Sequence, residues 1–189
     1  MLRYATDKGW IKTTPKIDNV SERLTRQRRR HLTFDKYRKL YKTAQKRIEE
    51  LKDNPLTKRQ FEQRKLLLDY IILLANTGLR VDEAKTLIWR NVDWDSKTLL
   101  LEYAGKTKST RRVIMRAGAV QAIKRIHERR LQFLEVKKQR LDINEKIISL
   151  SNGIPVVSLK KGFNELLIAC GFRYETIFDK HAHITSAHI

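Results

Sequence analysis

The chain carries one cysteine, Cys170, in 189 residues, so no internal disulfide can form. This fits a reducing compartment, and the expected location is the cytoplasm. Cys170 has no Cys, His or Asp cluster at ligand spacing, so no metal site is expected. Its place on the apolar side of a helical pattern marks it as a small core residue rather than a nucleophile. Long hydrophobic runs are also missing. The longest, Tyr70 to Ala75, is far below the roughly 20 apolar residues that span a bilayer, so no membrane span is expected. The N-terminus lacks the apolar core of a signal peptide. There is no internal repeat and no low-complexity block. Acidic residues are scarce as well: 21 against 41 basic ones leave a net charge of +20. A surplus of this size points to a polyanion. Nucleic acid is the commonest such partner and an anionic membrane surface the main rival, and charge alone does not separate DNA from RNA.

Local patterns give a mainly α-helical fold with a small antiparallel β-sheet. Residues 1–27 show little periodicity, and Gly9-Trp10-Ile11 with Pro15 reads as a connecting segment with one aromatic anchor. Arg26 to Arg30 are basic apart from Gln27. Arg28, Arg29 and Arg30 are therefore candidates for an arm along a phosphate backbone. Phe34, Tyr37, Tyr41, Ala44, Ile48 and Leu51 recur at steps of three and four, which predicts an amphipathic helix capped by Thr33. Because these aromatics share the apolar stripe, they read as core contacts rather than base-stacking groups. After Asn54-Pro55 a second helix is expected from about Lys58 to Asn76. Phe61, Leu68, Ile72 and Ala75 lie on one face, and Leu67, Ile71 and Leu74 widen it, so the helix should be central. Gly78 stops it, and Val81 to Ile88 forms a short third helix.

Thr98 to Tyr103 and Thr110 to Met115 predict a β-hairpin with Lys106 and Lys108 at its tip and Arg111 and Arg112 beside it. A long helix follows from Gly118 to about Arg140, with Val120, Ile123, His127, Leu131 and Leu134 along one side. His127 belongs to that series and reads as a partly buried packing residue. Lys146 to Leu150 is a short strand or a connection. Ser158 then caps a helix bearing Leu159, Phe163, Leu166, Leu167 and Cys170, which Gly171 ends.

Two places carry chemistry. Arg80 sits at the break between two helical patterns, with Glu83 three residues on. A guanidinium presents a planar fork of donors that matches two phosphate oxygens and stays charged at any working pH. Glu83 is spaced to orient that fork. The same spacing serves a purely structural Arg–Glu pair at a helix start, and spacing does not choose between them. Lys106 at a hairpin tip can swing into a groove and, with its pKa lowered by neighbouring positive charge, donate a proton to a departing oxygen. Lys108, Arg111 and Arg112 suit plain neutralisation of backbone phosphates, each steepening the salt dependence of binding.

The run Thr77-Gly78-Leu79-Arg80, Glu83, Leu87, Trp89, Asp93 resembles the first active-site motif of the tyrosine recombinases, the phage integrase family. Gly105-Lys106 followed by Arg111, Arg112 and Val113 resembles the family's lysine-bearing hairpin. Order and spacing agree in both, over roughly Leu32 to Gly171. The resemblance implies a catalytic domain at 32–171, preceded at 1–31 by a linker and the end of a core-binding region, with an atypical tail at 172–189. It implies that Arg80 is the first of two arginines on the scissile phosphate of double-stranded DNA. Glu83 supports it, and Lys106 is the general acid to the 5′-oxygen leaving group. Members attack with a tyrosine, forming a 3′-phosphotyrosine without metal or nucleotide cofactor, and act as tetramers.

The family's second motif, H-x-x-R with a later His or Trp and the nucleophilic Tyr, does not follow Gly171. Tyr174 comes too early, so no nucleophile is assigned. His181, His183 and His188 lie in a stretch, 181–189, without Lys or Arg. The expectation is a truncated or frame-shifted recombinase from a mobile element. It should bind DNA for integration or recombination, perform little or no strand transfer, and associate with itself weakly. The alternatives are a non-catalytic competitor for recombination sites and a basic RNA-binding protein.

Overall fold

The computed structural model describes residues 2–12, 32–52, 57–104 and 109–172. The chain divides into two compact units, Met1–Thr33 and Phe34–Ile189. In the first, Leu2–Asp7 forms a short helix, α1, where the sequence shows little periodicity. Trp10 packs edge-to-face on Tyr4, ring centroids 6.0 Å apart, so the aromatic anchor is local to this unit.

The second unit is built around the helix Lys58–Thr77 (α3). Phe34–Glu49 (α2) precedes it, and Val81–Thr86 (α4) follows. Val92–Asp93 (β1), Thr98–Ala104 (β2) and Ser109–Ile114 (β3) make a three-stranded antiparallel sheet in that order. Ala117–Lys137 (α5) and Lys160–Ala169 (α6) complete the described elements. Gly78 ends α3 in the left-handed region (φ 67°), its N–H donating to the Leu74 carbonyl, as its lack of a Cβ allows.

The main core joins Leu66, Tyr70 and Leu73 of α3, Leu99 and Leu101 of β2, Ile123 and Ile126 of α5, and the buried connection Ile147–Leu150. A second cluster gathers Leu40 and Ala44 of α2, Leu67 of α3, and Leu166 with Cys170 at the end of α6. Cys170 is thus a core residue. Two carboxylates tie the helices down. Asp69 of α3, buried, accepts from Arg125 Nε at 2.7 Å and from Arg129 Nη2 at 2.6 Å. Arg130, also buried, is gripped by Glu145 at 2.6 and 2.8 Å and donates to the Ser151 carbonyl at 3.1 Å.

Three predicted faces are corrected. On α2 the buried residues are Leu40 and Ala44, while Phe34 is 70% exposed and Tyr37 and Tyr41 are only half-buried. On α3 the core side is Leu66, Leu67, Tyr70, Ile72 and Leu73, whereas Ala75 is exposed and Phe61 and Leu68 are half-buried. On α5 the buried side runs through Ala119, Ala122, Ile123, Ile126, Arg130 and Leu134, and Leu131 is exposed. The reason is common to all three. Small alanines allow close approach between helices, and a helix apolar over most of its circumference lets its neighbours choose the face. Helix α4 also ends earlier than expected, at Thr86. Leu87 is buried, and Ile88 makes an isolated bridge to Lys146. His127 is half-buried against Trp89 and Trp94, centroids 4.9 and 5.6 Å away, and burial lowers its pKa against the opposing pull of Glu128.

Candidate functional site

The chain leaves α3 at Gly78, buries Leu79, and enters α4 through Arg80, whose backbone is extended (φ −71°, ψ 150°). Glu83 folds back on this junction: its Oε2 accepts the Arg80 backbone N–H at 2.9 Å, satisfying a donor that the helix start leaves open. The Tyr70 hydroxyl donates to the Val81 carbonyl at 3.2 Å, pinning α4 to α3.

The sheet brings a second arginine to the same carboxylate. Register pairs Leu99 with Val113 and Leu101 with Arg111, so these four share the face of β2 and β3 that turns to the core. Arg111 therefore reaches inward, and its Nη2 donates to Glu83 Oε2 at 2.8 Å. Arg112 points to the other face, where its nearest carboxylate oxygen, on Asp93, is 3.9 Å away. A strand's two-residue period thus separates neighbours that sequence reading treated alike.

Glu83 is the buried hub, its side chain 6% exposed, while those of Arg80 and Arg111 are 75% and 48% exposed. Arg80 Nη1 lies 3.8 Å from Glu83 Oε1. The Arg80 backbone N–H, then the Arg111 hydrogen bond and the charges of both arginines, hold the Glu83 pKa below the usual carboxylate range despite burial. The outcome is one carboxylate that holds the Arg111 guanidinium by a hydrogen bond and lies beside that of Arg80, with a net charge of about +1 and donors left over for an anion.

Of the residues singled out from sequence, Arg80, Glu83 and Arg111 come together and Arg112 stands apart. Lys106, Lys108, Arg28, Arg29, Arg30, Tyr174, His181, His183 and His188 lie outside the described residues. The link between Glu83 and Arg111 is not legible in the sequence, because it depends on the register that pairs Leu101 with Arg111. The one H-x-x-R spacing in the sequence, His127 to Arg130, is taken up by packing on Trp89 and by the pair with Glu145. Among the described residues no cluster of His, Cys, Asp and Glu is placed to hold a metal ion, and no helix is long and apolar enough to cross a membrane.

The family model of the phage integrase family matches residues 30–145, more than half of the chain. The chain belongs to the phage integrase family. No curated protein matches it. Among solved structures it is similar to the XerA recombinase (TM-score 0.53, 19% identity, covering 77% of this chain and 45% of that one). It is also similar to the Tn1549 transposon integrase in complex with circular intermediate DNA (TM-score 0.52, 16% identity, 95% and 57% covered). The fold is therefore that of a tyrosine-recombinase catalytic domain, and the chain spans about half the length of these solved relatives. Tyr70, Leu79, Ala84, Leu87 and Trp89, around and within the first motif, belong to the main core, so the core packing sets the position of the motif in this integrase-family chain.

Proposed function

We propose that this chain binds double-stranded DNA and that Arg80 and Arg111, set by Glu83, grip one backbone phosphate at the end of α3. The observation that carries this reading is a buried carboxylate with two guanidiniums beside it, Arg111 hydrogen-bonded at 2.8 Å and half-exposed and Arg80 at 3.8 Å and largely exposed, in a chain of net charge +20. Positioned donors around a phosphodiester stabilise the charge that builds on its oxygens during displacement. Family membership supports Lys106 as the proton donor to the departing 5′-oxygen, with Lys108, Arg112 and Arg28 to Arg30 on neighbouring phosphates. On the same reading 32–171 is the catalytic unit, 1–31 a linker with the end of a core-binding region, and 172–189 an atypical tail. The protein works in the cytoplasm and self-associates weakly.

These 189 residues hold no assigned nucleophile and no free H-x-x-R pair, so binding is expected without strand transfer. Members of a catalytic unit fail together rather than additively. The test offers a nicked suicide duplex carrying a recombination half-site and looks for a covalent protein–DNA adduct, alongside binding of duplex DNA and structured RNA at equal salt. Duplex binding without adduct is the expected result. A robust adduct would show an active nucleophile, and a preference for structured RNA would overturn the DNA reading.

A further inference from the structure

The α2 aromatics Phe34, Tyr37 and Tyr41 do not close into a core. They form one wall of an open groove, floored by α3 and walled on the other side by α5. Along α3 the floor runs through Phe61, Lys65, Asp69, Ile72 and Asn76. The α2 wall presents Phe34, Tyr37, Arg38 and Tyr41, and the α5 wall Gln121, Arg125, Arg129 and Phe133. The groove consists of adjoining hollows of about 510, 310 and 340 Å³. The first two share Lys65 and Arg129, and the last two share Tyr41 and Arg125. At 1.5 Å per residue the floor from Phe61 to Asn76 is about 22 Å long.

Its chemistry alternates rings with cations. Lys65 Nζ sits 5.0 Å from the centre of the Phe61 ring, and the Arg38 guanidinium 5.2 Å from that of Phe34. In the middle, Asp69 holds Arg125 and Arg129 at 2.6 Å each, which fixes their guanidiniums before any ligand arrives. Six cations line the groove against three carboxylates, so the lining carries a positive surplus. Two wall helices each about 8–10 Å from the floor helix, and 10–12 Å across with their side chains, leave a slot of at most about 10 Å. That slot is too narrow for a duplex and wide enough for one strand.

We propose that this groove binds single-stranded nucleic acid. Phosphates lie on Arg125, Arg129 and Lys65, and bases stack on Phe34, Tyr41 and Phe61. Ring stacking with a tracking line of cations is how proteins hold single strands without reading sequence. None of these residues belongs to the Arg80–Glu83–Arg111 cluster, so this inference does not rest on the duplex reading.

The test is fluorescence anisotropy of the full chain with labelled oligo(dT) and oligo(U). Phe34→Ala and Tyr41→Leu should each weaken binding roughly tenfold, since one stacked base is worth about 1–3 kcal/mol. Arg38→Glu, at an exposed position that does not endanger folding, should weaken it further. Arg80→Ala combined with Arg111→Ala should leave single-strand affinity unchanged, while the groove variants keep duplex binding. A preference for one oligonucleotide would say whether DNA or RNA is the natural strand. No binding of either, undiminished binding by the groove variants, or occupancy by an acidic helical peptide that no oligonucleotide displaces would overturn the proposal.

Discussion

Glu83 does two jobs with one carboxylate. It closes the start of α4 through the Arg80 backbone N–H and anchors Arg111 from the sheet. Glu83→Ala should therefore cost about 2–3 kcal/mol, a lost helix cap plus a lost charge-assisted hydrogen bond, measured by urea unfolding. The pH dependence follows from its lowered pKa. The unfolded chain takes up the Glu83 proton at higher pH than the folded chain does. The stabilisation is thus fully present above the usual carboxylate range and disappears as pH falls through the lowered value. Subtracting the unfolding curves of Glu83→Gln from those of the natural chain should isolate that acid loss. A difference that stayed constant down to strongly acid pH would contradict it. Gly153 is a second residue with little freedom. Its φ is +85°, and a Cβ there would meet Arg130 Nη2 at 2.7 Å, a group pinned by Glu145. Gly153→Ala should destabilise by roughly 1–3 kcal/mol, read as a lower urea midpoint.

At the scale of elements, signals that act locally were legible in the sequence. Gly78 as a stop, the Ser109–Ile114 return strand and the α3 and α6 helices all follow from turn chemistry and period. Which face each helix buries was not legible, because that is decided by neighbours distant in sequence. The stripe Phe34, Tyr37, Tyr41 is real in period, yet it lines a groove instead of a core. The pairing of Arg130 with Glu145 was hidden for the same reason, since a charged residue on an apolar face gives no sign of its partner. Glu145→Ala strands a guanidinium that is 7% exposed, and should cost about 3–5 kcal/mol in urea unfolding. Asp69→Ala should cost less, about 1–3 kcal/mol, because Arg125 is 43% exposed and can regain water. The hairpin makes its own prediction: Arg111→Ala should lower both stability and duplex affinity, whereas Arg112→Ala, on the opposite face, should lower duplex affinity alone.

For the molecule as a whole, the candidate site was half legible. The motif around Arg80 stands out because its glycine, arginine and glutamate all act within a few residues. The contribution of Arg111 needed the sheet register, and Lys106 remains an assignment from the family motif. On the proposed function Arg80 and Arg111 act on one phosphate of duplex DNA. A salt titration of duplex affinity tests it most directly, because the slope of log K against log salt changes by about 0.9 for each phosphate neutralised. Measured beside Arg80→Ala and Arg111→Ala alone, the double variant should lose about 0.9 of slope relative to the natural chain, no more than one phosphate's worth. An unchanged slope, or a loss of about 1.8 that assigns the two arginines to separate phosphates, would contradict it.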